Sequence, residues 1–347
     1  MGAEQEREDE LMSTTLQTDE TQVDTLERVS VHRRFSSFAN GYALVGAWIV
    51  VVVLFSVLRP EVYPTVNNIT TMLGSQAVLL VLALGLIVPL TVGDFDLSIA
   101  AVLTMSSMVT ALLNVKLGVP IALAVLAAIL ISALIGLING MLVVKLDLDS
   151  FVVTLGTSTL LIGVVQWLSE SQTITGVSRD LMNAVTFFRF IGISMAFWYG
   201  LALTIVIWFV FTKTPLGQRL LFVGRGRAIS KLNGISVDRI RIGALVVSAT
   251  VSGFAGTLYV GTLGGADPSS GLSFMLPAFA AAFLGATAVS PGRFNALGTF
   301  IAVYFLVSGI TGLQQLGVQS FVQQLFYGGA LIIAVALARL ARRGRQN

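Results

Sequence analysis

The stretch KTPLGQRLLFVGRGRAISKLNGISVDRIR, residues 213–241, is the one long polar and basic interruption in an otherwise apolar chain. Lys213, Arg219, Arg225, Arg227, Lys231, Arg239 and Arg241 stand against a single acid, Asp238, and membrane-length apolar runs flank the segment on both sides. Basic residues beside apolar spans stay on the cytoplasmic side, so these residues are expected to form a cytoplasmic loop. Thr214 followed by Pro215 reads as an N-cap and a first helical residue. Ala228, Ile229 and Leu232 then share one face of a short helix that Asn233 and Gly234 would stop. Two uses of such a helix stay open: anchoring the membrane edge with snorkelling side chains, or docking a soluble partner.

The totals agree with a membrane reading. A chain that is 55% hydrophobic and 11% charged, with a mean hydropathy of +0.87, is not a soluble globular protein. The net charge of +3 does not point to nucleic acid, because the basic residues lie in membrane-flanking loops where orientation accounts for them. There is no cysteine, hence no disulfide framework and no thiolate ligand or nucleophile. His32 is the only histidine and precedes the first apolar run, which excludes histidine chemistry or a histidine metal site inside the bundle. An intramembrane enzyme is disfavoured on the same grounds.

Residues 1–34 form an acid-rich tail, with Glu4, Glu6, Glu8, Asp9, Glu10, Asp19, Glu20, Asp24 and Glu27 among them, and are expected to be a disordered cytoplasmic extension. Residues 35–347 then form the transmembrane domain, interrupted by the loop at 213–241. Its apolar runs fall near residues 42–58, 76–91, 99–115, 119–144, 151–168, 190–211, 242–263, 272–289, 294–313 and 321–340. The expected fold is an all-α polytopic bundle of about ten transmembrane helices with both termini in the cytoplasm. Under that threading only Arg59, Lys116, Arg179 and Arg189 of the 21 Lys and Arg residues face outward. Pro89 should kink or end the second helix. Gly136 with Gly140, Ala249 with Gly253, and Ser252 with Gly256 have the spacing that lets membrane helices approach closely.

Asp94 and Asp96 sit between two apolar runs with no long loop to solvate them. A carboxylate at membrane depth costs about 2.5–3.5 kcal/mol by insertion scales and needs a cavity, a partner or the interface. Asp96 or Ser98 can cap the following helix by accepting from its first backbone N–H groups. Asp94 has no such local task, and with Asp94 or Asp96 as a coupling site the chain would instead be an ion-coupled secondary transporter acting alone.

The run GDFDLSIAA, residues 93–101, resembles the G-x-x-DLS-x-G signature of sugar-type ATP-binding-cassette permeases, the ribose, xylose and autoinducer-2 importer group. The resemblance continues in order through NG at 139–140, FVVTLGT at 151–157, LGQR at 216–219, LNGISVDR at 232–239, SGFAG at 252–256, LGA at 284–286, GT at 298–299 and LGV at 316–318. The chain departs from the pattern at Asp94 and Ala100, where glycines are common. It departs again at residues 223–227, where VGRGR replaces the usual A-x-G-G-N, and at residues 291–293, where PGR stands in for a Gly-Gly-rich turn.

The resemblance implies a permease subunit of the cell membrane that works as a dimer, with itself or with a sister chain. Similar permeases receive solute from an extracytoplasmic binding protein and are driven by a separate ATPase that uses ATP and Mg. No phosphate-binding G-x-x-x-x-G-K-[ST] loop occurs in this chain, so it is expected to bind no cofactor itself. Arg225, Arg227, Ala228, Ile229, Lys231, Leu232, Asn233 and Gly234 would form the helix that couples to that ATPase. Neutral hydrogen-bonding groups suit a sugar path, which makes Asn139, Thr154, Thr157, Ser158 and Gln166 candidates beside Asp94, Asp96 and Ser98.

Overall fold

A segment in lipid must satisfy its own backbone N–H and C=O groups, and a helix does so without a neighbour. Each of the ten apolar runs carries a helix in the computed structural model, which describes residues 41–319 and 321–343. The acidic tail expected at residues 1–34 lies outside those residues. In chain order the helices are α1 (Gly41–Leu58), α2 (Val66–Ser75), α3 (Ala77–Thr91), α4 (Ile99–Ala111), α5 (Ile121–Lys145), α6 (Ser150–Ser169), α7 (Arg179–Met182) and α8 (Met195–Lys213). They continue with α9 (Pro215–Arg225), α10 (Arg227–Leu232), α11 (Val237–Leu263), α12 (Met275–Gly285), α13 (Ala296–Gln315) and α14 (Phe321–Arg343).

Seven of these, α1, α4 with its extension to Lys116, α5, α6, α8, α11 and α13, are long and apolar enough to cross a membrane. The α2–α3 pair, bent by 41° at the intervening Gln76, makes an eighth when taken as one span. The apolar lengths at α12 and α14 are shorter. The protein is therefore an all-α polytopic bundle with seven or eight membrane-capable helices among the described residues.

From Leu44 onward the chain forms one compact unit, and α3 lies at its centre. All fifteen residues of α3 are buried, enclosed by α8, α11, α12 and α13. The longest helix, α11, crosses α3, α4 and α5 together. Its contact with α5 runs along small residues: a Cβ on Gly136 would stand 2.7 Å from the Leu245 carbonyl oxygen and 2.7 Å from Cβ of Ala249, while Gly253 faces Ser132 in the same way. Ser106 of α4 donates to the Gly253 carbonyl at 2.7 Å, so the third helix is tied to the same seam. The small residues spaced four apart are thus the places where backbones touch. By contrast α5 turns Leu123, Leu126, Leu130 and Leu134 outward, as a lipid-facing surface does.

Short pairings close the end of the bundle away from the basic loop. Ile174–Thr175 pairs antiparallel with Gly265–Ala266, fastening the segment after α6 to the end of α11. The sixth apolar run begins as a hairpin, Arg189–Phe190 against Ile193–Ser194, and becomes helical only at Met195.

Gly136→Ala is expected to cost about 1–3 kcal/mol, the usual cost of overpacking, and to lower the thermal unfolding midpoint of the detergent-purified protein. Gly163→Ala, whose Cβ would meet nothing within 4 Å, should leave that midpoint unchanged or raise it.

Candidate functional site

Sequence chemistry and fold converge on the seven residues between α3 and α4. Pro89 sits inside the last turn of α3 without ending it, and the helix runs on to Thr91. The stop comes from Gly93, whose φ of 82° is left-handed. Its N–H donates to Leu90 at 3.2 Å and that of Asp94 to Pro89 at 3.0 Å, the paired bonds of a Schellman C-terminus. Pro89 costs only one donor at a place where the helix is about to end.

The link is then pinned to three other helices. Ser150 Oγ at the start of α6 accepts from the Phe95 N–H at 3.1 Å, and Thr154 Oγ1, one turn on, accepts from the Leu97 N–H at 3.0 Å. Asp94 is 1% exposed, and its two oxygens are bound by Arg241 at the foot of α11: Nε donates to Oδ2 at 2.8 Å and Nη2 to Oδ1 at 2.7 Å. Arg227, the first residue of α10, donates from Nη2 to the same Oδ1 at 2.8 Å and to the Gly93 carbonyl at 3.2 Å. One buried carboxylate therefore joins three separate stretches of chain.

Asp96, also 1% exposed, is held without a cation. Its Oδ1 accepts from the Ser98 N–H at 3.0 Å and from Ser98 Oγ at 2.6 Å, and its Oδ2 accepts from Ser248 Oγ of α11 at 2.8 Å. Behind Ser98 the donors line up: Thr157 Oγ1 of α6 donates to Asn139 Oδ1 at 2.6 Å, and Asn139 Nδ2 of α5 donates to Ser98 Oγ at 3.1 Å. Every donor in the chain is directed toward the carboxylate, an arrangement in which each bond strengthens the next. The N-terminal end of α4 adds its partial positive charge.

Six of the residues singled out from the sequence, Asp94, Asp96, Ser98, Asn139, Thr154 and Thr157, are thus brought together around one link. Ser158 is buried on α6, and Gln166 lies exposed near the far end of that helix. Arg241 and Ser248 were missed. They lie seven residues apart on α11, with Ser252 four further on, so a polar stripe on one helix face was the available signal. Counting Arg241 with the solvated basic loop concealed it.

The basic loop folds as two helices at nearly right places for its caps. Thr214 caps α9 through Gly217 with Pro215 at the first turn, and α10 ends at Asn233 with Gly234 at φ 74°. On α10, Ser230 is buried while Ile229 is 68% and Leu232 is 88% exposed. Ala228 and Lys231 are also exposed, as are Arg225 and Asn233. Phe222, Arg225, Ile229 and Ile235 line a largely apolar groove of about 470 Å³ beside it. Between the loop and the Asp94 link lies an open polar cleft of about 540 Å³ that Asp147, Asp149, Arg227 and Arg241 share. Among the described residues no group of three or more His, Cys, Asp or Glu is placed to hold a metal ion.

Bundle and site together define a multi-pass membrane protein with a buried ion pair at Asp94 and a neutral hydrogen-bond chain at Asp96. Residues 68–335 match the family described as the branched-chain amino acid transport system / permease component, and the chain belongs to that family. It is 31% identical to the D-allose transport system permease protein AlsC of Escherichia coli, over 88% of this chain and 94% of that one. It is 32% identical to the ribose import permease protein RbsC of Bacillus subtilis, over 84% and 90%, and 27% identical to the L-arabinose ABC transporter permease protein AraH of Azospirillum brasilense, over 87% and 89%. No solved structure matches it at a significant level. The chain is a transporter subunit of the cell membrane and not an enzyme.

Removing one partner of a buried ion pair costs about 3–5 kcal/mol, so Arg241→Gln should sharply reduce the yield of folded protein recovered by size-exclusion chromatography. Ser248→Ala removes one of three donors to Asp96 and should cost about 1–3 kcal/mol, read as a lower unfolding midpoint that Ser248→Thr restores.

Proposed function

We propose that this chain is the membrane-spanning subunit of an ATP-driven importer for a monosaccharide or a similar small polyhydroxylated solute. The observation that carries the substrate class is the set of relatives named for D-allose, ribose and L-arabinose, matched along nearly their whole length. The buried interior agrees with a neutral cargo. Its polar groups away from the ion pair are hydroxyls and amides, and its two carboxylates already have their donors. An ion-coupled carrier would need a carboxylate open to its ion, whereas Asp94 is held by two guanidinium groups and buried Asp96 by three hydrogen-bond donors.

In this reading ATP and Mg are handled by a partner ATPase, solute arrives from an extracytoplasmic binding protein, and a second permease chain completes the path. All ten helical runs span the membrane or line its core, with both termini and the 213–241 loop in the cytoplasm, as the basic residues favour. The short helix α10 is the docking element for the ATPase. What supports this is its exposed Ile229 and Leu232: apolar side chains of that size on a basic, solvent-facing loop are explained by a partner that covers them. Helix movement driven by ATP binding would then switch access from one side of the membrane to the other.

The test is affinity purification of the C-terminally tagged protein from its native host in mild detergent, with mass spectrometry of what accompanies it. A stoichiometric ATPase bearing two phosphate loops is expected, and Ile229→Glu with Leu232→Glu should release it without reducing membrane insertion. Protein free of any ATPase that still accumulates solute in liposomes under an ion gradient would overturn the reading.

A further inference from the structure

Neutralising a buried carboxylate takes one cation, and Arg241 supplies it with two hydrogen bonds while only 10% exposed. The second cation at Asp94 is therefore unexplained by burial. Arg227 makes a single bond to the carboxylate and is 44% exposed, in a cleft where Asp147 and Asp149 also face it. What it does accomplish is mechanical: it ties the first residue of α10 to the α3–α4 link. A second contact runs beside it. Gly224, near the end of α9, lies so close to the Thr91 carbonyl that a Cβ there would collide with it. The basic segment is thus fitted against the end of α3 at one point and ionically fastened to the link at another.

We propose that Asp94 and Arg227 are positioning residues that transmit movement of α10 to the α3–α4 link, with Arg241 as the fixed side of the joint and Arg227 as its driven side. The proposal rests on α10 being the ATPase-docking element. From the link, the movement has a route into the bundle. Ser150 and Thr154 hold the link to α6, and the Asp96–Ser98–Asn139–Thr157 chain joins it to α5 and to the middle of α6.

The absence of cysteine makes the joint measurable. Phe95 is 41% exposed on the link, and its side chain takes no part in the ion pair. A Phe95→Cys reporter in the permease–ATPase complex would be labelled with a maleimide in the nucleotide-free state and after trapping with ATP, Mg and vanadate. With Arg227 intact, trapping is expected to change the labelling rate by about fivefold or more, in the range of ordinary conformational coupling. In the Arg227→Gln complex, assembled with saturating ATPase so that every permease carries its partner, the rate should be the same in both states. Arg239→Gln removes an exposed charge from the neighbouring turn and should keep the full response.

An unchanged trapping response in Arg227→Gln overturns the proposal, and so does an equal loss in Arg239→Gln or a wild-type link that does not respond to trapping. If no ATPase accompanies the wild-type chain, the functional reading itself fails and this inference falls with it, a result distinguishable from the others at the purification step.

Discussion

A carboxylate removed from water has to be matched before anything around it can pack, and in this protein the match is the two-bonded pair of Asp94 with Arg241. It fixes the foot of α11 against the end of α3, and α11 in turn organises α3, α4 and α5. The planar guanidinium suits this place because it offers two parallel donors to both oxygens at once, which a lysine could not. Neighbouring Asp96 solves the same problem differently, with hydroxyl donors and a helix end in place of a cation. Two acids two residues apart are thereby fastened to α11 at two points seven residues apart, which holds the irregular link in one conformation.

The polar centre and the apolar seam serve one geometry. Where α5 and α11 touch, small residues bring backbones close and the contact is made by shape. Beside that seam, where Asn139 reaches Ser98 and Ser248 reaches Asp96, contact is made by directed hydrogen bonds. Shape alone would permit sliding along the seam. The directed bonds select one register, because a shift of one residue would leave a buried carboxylate short of donors.

Much of this architecture is legible in the sequence, and the part that is not has a physical reason. Apolar runs mark their helices because the backbone has no alternative in lipid. Caps at Thr214 and Asn233, the small-residue seams and the apolar face at Ile229 and Leu232 are local signals, written within a few residues of where they act. Arg241 is not legible in that way. In sequence it is one more basic residue in a basic loop, and its partner lies 147 positions earlier. A separation of 152 positions from Asp96 hides Ser248 in the same way. Charge near a span reads as orientation, and only the fold shows which charge has left the water.

The enclosure of α3 bears on how the protein is made. Its residues before Thr91 are apolar, so during synthesis the segment, together with α2, can leave the translocation machinery into lipid like any other span. In the finished protein none of it faces lipid, because α8, α11, α12 and α13 surround it. All four are synthesised later. The core of this transporter therefore begins its life as a surface, and becomes an interior only once the last third of the chain has been inserted beside it.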